Sequence, residues 1–123
     1  MAFRDGLTHR AAIMRRERGT TDTWLTVDDD AALRMVSLGP VEAQALSQAW
    51  SAVITHKAIM AIECDVQDGD RLEVTAVVNR NGQYEVPSRK ELYDVVAVDR
   101  AEGGRRGPHH WRCYLSRIGG VRG

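Results

Sequence analysis

Between Arg71 and Val78 the chain alternates, with Leu72, Val74, Ala76 and Val78 on one side and Arg71, Glu73 and Thr75 on the other. A period of two puts the apolar side chains on one face of a β-strand and the polar ones on the opposite face. Turn signals bound the run. Asp68-Gly69 precedes it and reads as a hairpin turn. Asn81-Gly82 follows as a second, returning through Tyr84–Val86 until Pro87 stops the strand. Such a strand is stable only when several others share its buried face, so this run commits the chain to a strand-rich fold.

Other segments agree. Leu7–Met14 also alternates, with Leu7, His9, Ala11 and Ile13 on one face. Thr23–Val27 is β-branched and aromatic and predicts a second strand. Asp28-Asp29-Asp30 is expected to break it, because adjacent carboxylates repel, and Ala31–Leu38 to resume as a strand. Even positions from Ile54 to Cys64 are mostly apolar, Leu92–Val98 is apolar on both faces, and His109–Ile118 sets Trp111, Cys113 and Leu115 on one face. One helix is predicted over about 40–51. Gly39 and Pro40 open it, Glu42 complements the helix dipole, and Val41, Ala45, Leu46, Ala49 and Trp50 recur at helical spacing. Such a helix is expected to plug one end or side of a sheet.

No βαβ alternation is present, so a parallel sheet is not expected. The reading is a mainly β chain: a small antiparallel β-barrel of six to eight strands with one short α-helix, because closure removes exposed edges. The length, 123 residues, suits one domain over 1–123. Residues 78–92 form an extended hairpin within it, and 119–123 a mobile basic tail. With 43% hydrophobic and 28% charged residues, collagen-like and wholly disordered chains are excluded. No apolar run approaches the ~20 residues of a membrane helix, and the first ten residues lack the apolar core of a secretory signal. Two distant cysteines, Cys64 and Cys113, make no disulfide framework and point to a reducing compartment.

Charge is zero in sum but segregated. Residues 1–20 carry +3, residues 21–99 carry −8, and residues 100–123 carry +5. Separation of this kind suits contacts between copies or with oppositely charged partners.

Catalytic and metal-binding patterns are weak. His9, His56, His109 and His110 with the two cysteines lack zinc-ligand spacing, and core packing is the better reading for them. Asp65, Asp68 and Asp70 surround Gly69 but fail the calcium-loop pattern. Ser47, Ser88 and Ser116 lack a nucleophile elbow. Gly103-Gly104-Arg105-Arg106-Gly107 does not lie between a strand and a helix, so it is no P-loop, although Arg105 and Arg106 could meet phosphates. No enzyme and no cofactor are expected.

The order of features carries a resemblance. Leu7-Thr8-His9-Arg10 leads to Thr23-Trp24, then to a helical segment with Glu42. Thr55-His56-Lys57, Gly69-Asp70-Arg71 and Tyr93-Asp94-Val95-Val96 follow, and the His109–Ile118 strand closes the series. This resembles the head-closure proteins of long-tailed bacteriophages, also called stopper or head–tail joining proteins, over roughly residues 6–118. The resemblance implies a barrel assembled as a ring of six or twelve copies in the virion neck. Such a ring sits between the adaptor–portal complex and the tail terminator or tail tube. It retains packaged double-stranded DNA and offers the tail a docking surface, after assembly in the host cytoplasm and without a membrane. In relatives the connection between the second and third barrel strands can gate the channel. By chain order this falls near Leu38–Val53, which makes Gly39, Pro40, Glu42, Gln44 and Gln48 the candidate gating residues. Arg15 and Arg16, with Arg105 and Arg106, are the candidate contacts to DNA or to neighbouring subunits. The 78–92 extension departs from the family pattern and could reach a neighbouring copy or the tail. The alternatives are a tail-completion or tail-terminator subunit, and a small nucleic-acid-binding barrel.

Overall fold

A computed structural model describes residues 8–17, 19, 23–61, 63–102 and 108–118. Those residues form β1 (His9–Arg16), β2 (Trp24–Ser37), α1 (Pro40–Trp50), β3 (His56–Ala61), β4 (Arg71–Val78), β5 (Tyr84–Glu85), β6 (Glu91–Glu102) and β7 (Pro108–Arg117). The strand order is β1-β2-β3-β7-β6-β4-β5, all neighbours are antiparallel, and β1 also pairs with β4. That last pairing closes six strands into a barrel and leaves β5 as an extra strand on β4.

Alternation fills the interior. Ala11 and Ile13 of β1, Leu33 of β2, Met60 of β3, Leu72 of β4, Val95 of β6 and Leu115 of β7 are buried. Three small residues, Ala11, Ala31 and Ala58, come from the adjacent strands β1, β2 and β3. Tyr93, the largest fully buried side chain, comes from β6, three strands away from β2. Small residues opposite a large one let a narrow barrel close without voids.

Three expectations are corrected. The aspartate triplet does not break the second strand: β2 runs unbroken from Trp24 to Ser37. Register shifts lie on either side of the Ile13–Asp28 pair. These are bulges, which add residues to β2, bend it and increase its twist. Asp28 Oδ1 accepts the Asp30 amide at 3.0 Å, and Arg10 Nη1 donates to Asp30 Oδ2 at 2.8 Å.

Asp68-Gly69 does not join paired strands. β3 and β4 lie on opposite sides of the barrel, so their connection spans its end. The tight turn is real: Gly69 has φ +88°, and the Asp70 amide donates to Gln67 O at 3.1 Å. It is pinned to β6, however, because the Gly69 amide donates to Val95 O at 2.8 Å and the Val98 amide to Asp68 Oδ1 at 2.8 Å. Local turn propensity bends the chain without choosing which strands pair.

The helix lies on a side of the sheet, one of its two expected places, but its apolar stripe is not the expected one, and none of its residues is fully buried. Its half-buried stripe is Ala43, Leu46 and Ser47, at spacings of three and four, whereas Val41, Ala45 and Ala49 face outward. The interior is already filled by strand side chains, so the helix can only lie outside. By contrast, the Asn81-Gly82 hairpin forms as expected between β4 and β5. Asn79 Oδ1 accepts the Asn81 and Gln83 amides at 2.9 and 3.0 Å, and Gly82 takes φ +76°. β6 and β7 pair as far as Glu102–Pro108, which narrows the expected Arg100–Pro108 loop.

Candidate functional site

Polar groups collect at both ends of the barrel, and an arm projects from one of them. At the end where β1 begins, α1 is an insertion in the β2–β3 hairpin. The Leu38 amide donates to Thr55 O at 3.1 Å and closes the ladder beneath it. Gly39 is extended, Pro40 starts the helix, and Ser51 ends it in the left-handed region at φ 53°. Ser47 Oγ accepts the Ile54 amide at 3.0 Å and ties the outgoing chain to the helix. Glu42 reaches Lys57 of β3 at 3.7 Å, and the Trp50 ring lies 6.0 Å from that of Tyr114 on β7. α1 therefore lies against the outer wall over β3 and β7. The candidate gating residues Gly39, Pro40, Glu42, Gln44 and Gln48 are all exposed on this arm. Around them Val36, Val41, Trp50 and Val53 are exposed large apolar side chains.

At the same end, imidazoles line the barrel mouth. His56 Nδ1 lies 2.8 Å from Thr55 Oγ1, its Nε2 lies 3.1 Å from Ser37 Oγ, and its ring meets Tyr93 edge-on at 4.9 Å. Tyr93 OH donates to Glu91 Oε1 at 2.9 Å. Burial pushes the His9 pKa down, with the Glu91 carboxylate opposing. Burial also lowers His56; Arg117 and His9 add to this, and Glu91 opposes it. Burial and the bond to Glu91 raise the Tyr93 hydroxyl to about 12. His9, His56 and Tyr93 are therefore uncharged at neutral pH, beside the Glu91 carboxylate and the Arg117 cation.

The opposite end is closed by Arg15. It follows Ala11 and Ile13 on the inward face of β1, and its guanidinium grips Asp70, which is 1% exposed. Nε and Nη2 donate to Asp70 Oδ1 and Oδ2, each at 2.9 Å. The Gln67 amide adds a third donor to that carboxylate at 2.9 Å. Nη1 and Nη2 also reach Asp65 at 3.2 and 3.3 Å. The bond to Asp70 is the main reason the Arg15 pKa is raised. Two-pronged pairing of this kind is what a guanidinium provides and an ammonium does not.

Arg16, the outward neighbour, has a different setting. It lies 5.0 Å from the Trp24 ring centroid, and Arg71 lies 4.2 Å from the same ring. Arg71 is paired with Asp94 at 3.3 Å. These residues, with Gln67 and Asp70, line an open cleft of ≈ 470 Å³. Arg16 is exposed beside this cleft. The candidate residues thus fall into separate places: the helical set at one end, Arg15 and Arg16 at the other. Arg105 and Arg106 lie outside the described residues.

The Arg15–Asp70 clamp and the Trp24 stack were not anticipated. An arginine in register with Ala11 and Ile13 on an inward face was the signal for the first. Trp24 stacks across strands whose pairing the sequence does not announce. Cys113 is buried, and burial first, then Cys64 and the nearby aspartates, raises its thiol to about 12. Among the described residues no group of three His, Cys, Asp or Glu side chains is placed to hold a metal ion. No protein-family model matches the chain, and no curated protein matches it.

Proposed function

We propose that the chain is a structural subunit of a long-tailed phage neck, a head-closure or stopper protein that works as a ring. In this reading the ring joins the adaptor–portal complex to the tail, surrounds packaged DNA, and retains it. The observation that carries the reading is the arm. A barrel of this size has no need of an outer helix with Val41, Trp50 and Val53 exposed around it, and exposed apolar groups at one place mark a contact surface. That arm joins β2 to β3, the connection the family resemblance assigns to the channel. Segregated charge adds to this, since head-to-tail rings need two different patches on each subunit. In the ring DNA is met electrostatically and without base reading.

The test is removal of the gene from the particle that carries it. Heads that lose their DNA, accumulating beside unjoined tails, are the expected result. Filled heads that keep DNA and join tails normally would refute the reading. One observation favours a second reading, a small nucleic-acid-binding barrel: Arg16 and Arg71 stack on Trp24, and Arg100 lies 5.3 Å from the Trp111 ring. Cations interleaved with aromatics suit single strands. A salt-dependent affinity for free single-stranded DNA, tighter than about 10 μM, would support that alternative.

A further inference from the structure

The chain has two asparagines, Asn79 and Asn81, and both lie in the turn between β4 and β5. Asn79 is the clamp of that turn. Its Oδ1 accepts the Asn81 and Gln83 amides at 2.9 and 3.0 Å. Its carbonyl accepts the Gly82 amide at 3.0 Å, and its own amide donates to Gln83 O at 2.7 Å. Asn81 is exposed, and the next residue, Gly82, sits at φ +76° with open space where a Cβ would stand. A side chain on the residue after an asparagine crowds the approach of that residue's nitrogen to the asparagine Cγ. Glycine leaves the approach clear.

We propose that Asn81 is a site of spontaneous covalent modification and that Asn79 sets its rate. Asparagine is among the residues least durable in a folded chain. The Gly82 backbone nitrogen gives its proton to solvent base and attacks Asn81 Cγ. The new N–C bond closes a five-membered succinimide, and the carboxamide nitrogen leaves as ammonia after taking a proton from water. Water then adds to one of the two ring carbonyls and opens the ring. Opening one way leaves an aspartate at position 81. Opening the other way leaves an isoaspartate, whose backbone runs through the former side chain. In sum one water enters and one ammonia leaves, and nothing is oxidised or reduced.

The folded turn slows the reaction without preventing it. The attacking nitrogen is the one bonded to Asn79 O, and the amides on either side of it are bonded to Asn79 Oδ1. Attack needs the turn to open, and these bonds set the open fraction. Opening is local, because among the described residues β5 pairs with β4 alone, outside the six-strand barrel. Neighbouring candidates differ. Asn79 precedes Arg80, and its carboxamide oxygen is engaged by two amides. Asp68 precedes Gly69, but its Oδ1 accepts the Val98 amide at 2.8 Å, and the Gly69 amide is tied to Val95 O at 2.8 Å. That turn is fastened to the barrel wall at both the acceptor and the attacking nitrogen. Isoaspartate adds one carbon to the backbone inside a turn matched to the Val78–Tyr84 pair. The longer chain displaces Tyr84, whose ring centroid lies 5.2 Å from the Arg10 guanidinium. Modification therefore loosens the β4–β5 arm and leaves the barrel closed. Neither step depends on the neck reading.

The test ages the full chain for weeks in mildly alkaline buffer, folded and in urea. Samples are mapped by mass spectrometry, with fragmentation that separates aspartate from isoaspartate and an unaged sample as control. A gain of one mass unit at position 81, as both products, is expected, with position 79 unchanged. The urea-unfolded chain should convert about threefold faster or more. Asn79→Ala, checked for folding by circular dichroism, removes two acceptors from the turn. It should speed conversion at 81 in the folded chain by about threefold, the weight of one ordinary hydrogen bond. Hydrogen exchange on aged wild type should be faster at residues 83–85 and unchanged in β1 and β3. A folded chain that stays unmodified at 81 while the unfolded chain converts fully overturns the proposal. So does equal conversion at 79 and 81, or an Asn79→Ala chain that converts no faster than wild type. Converted chain whose exchange at 83–85 is unaltered would overturn the loosening of the arm.

Discussion

Replacing Arg15 by Met keeps the length of the side chain and removes its charge. In the folded chain the Asp70 carboxylate has three donors, two from Arg15 and one from the Gln67 amide. The variant leaves a carboxylate that is 1% exposed with one amide donor and no counter-charge. Breaking a buried pair costs about 3–5 kcal/mol. Arg15 is itself 28% exposed, and water can enter as its head withdraws. The cost should therefore sit at the low end, about 3 kcal/mol. With a urea slope of about 2 kcal/mol/M, the unfolding midpoint should fall by about 1.5 M. Asp70→Asn removes the charge but keeps an oxygen for the Gln67 amide. Combined with Arg15→Met, it should recover roughly 1–2 kcal/mol relative to Arg15→Met alone. Urea titration followed by tryptophan fluorescence reads both. A midpoint shift below about 0.3 M for Arg15→Met would refute the reasoning, and so would simple additivity of the two changes.

Acid should weaken the fold through the barrel mouth. His9 and His56 hold their pKa values below 6.5 in the folded chain, so the unfolded chain takes up protons more readily as pH falls. Their contribution to stability is therefore full above pH 7, is lost as pH falls below about 6.5, and levels off beneath the folded values. Melting temperatures of wild type and of His9→Gln/His56→Gln between pH 7.5 and 5 should converge toward acid, and parallel curves would argue against this account. Cys113, buried with its thiol raised to about 12, should resist alkylation at pH 8 while the chain is folded, with half-buried Cys64 modified first. Mass spectrometry of partly labelled protein checks this, and Cys113 labelled as fast as Cys64 would contradict it.

Much of the fold was legible because strand alternation is a local signal. Leu72 and Val74, like Cys113 and Leu115, read as inward from the sequence and are inward. The Asn81-Gly82 turn was equally legible, since adjacent strands must pair across so short a connection. What failed was non-local. The aspartate triplet looked like a break because its partner Arg10 lies twenty residues earlier in the chain. Asp68-Gly69 looked like a hairpin because nothing near it tells that β3 and β4 face each other across the barrel. The helix showed apolar periodicity, but whether it lies at the end or the side of a barrel depends on side-chain volumes from six strands at once. The same limit applies to the sites. Arg15 finds Asp70 across fifty-five residues, and Trp24 finds Arg71 across forty-seven.

The central claim, that this barrel acts as one member of a ring at the head–tail junction, is tested most directly by imaging the neck of the intact particle at residue resolution. The account predicts repeated copies of the chain encircling the DNA channel between adaptor and tail. A mature particle without the chain, or with a single copy away from the channel, would contradict it.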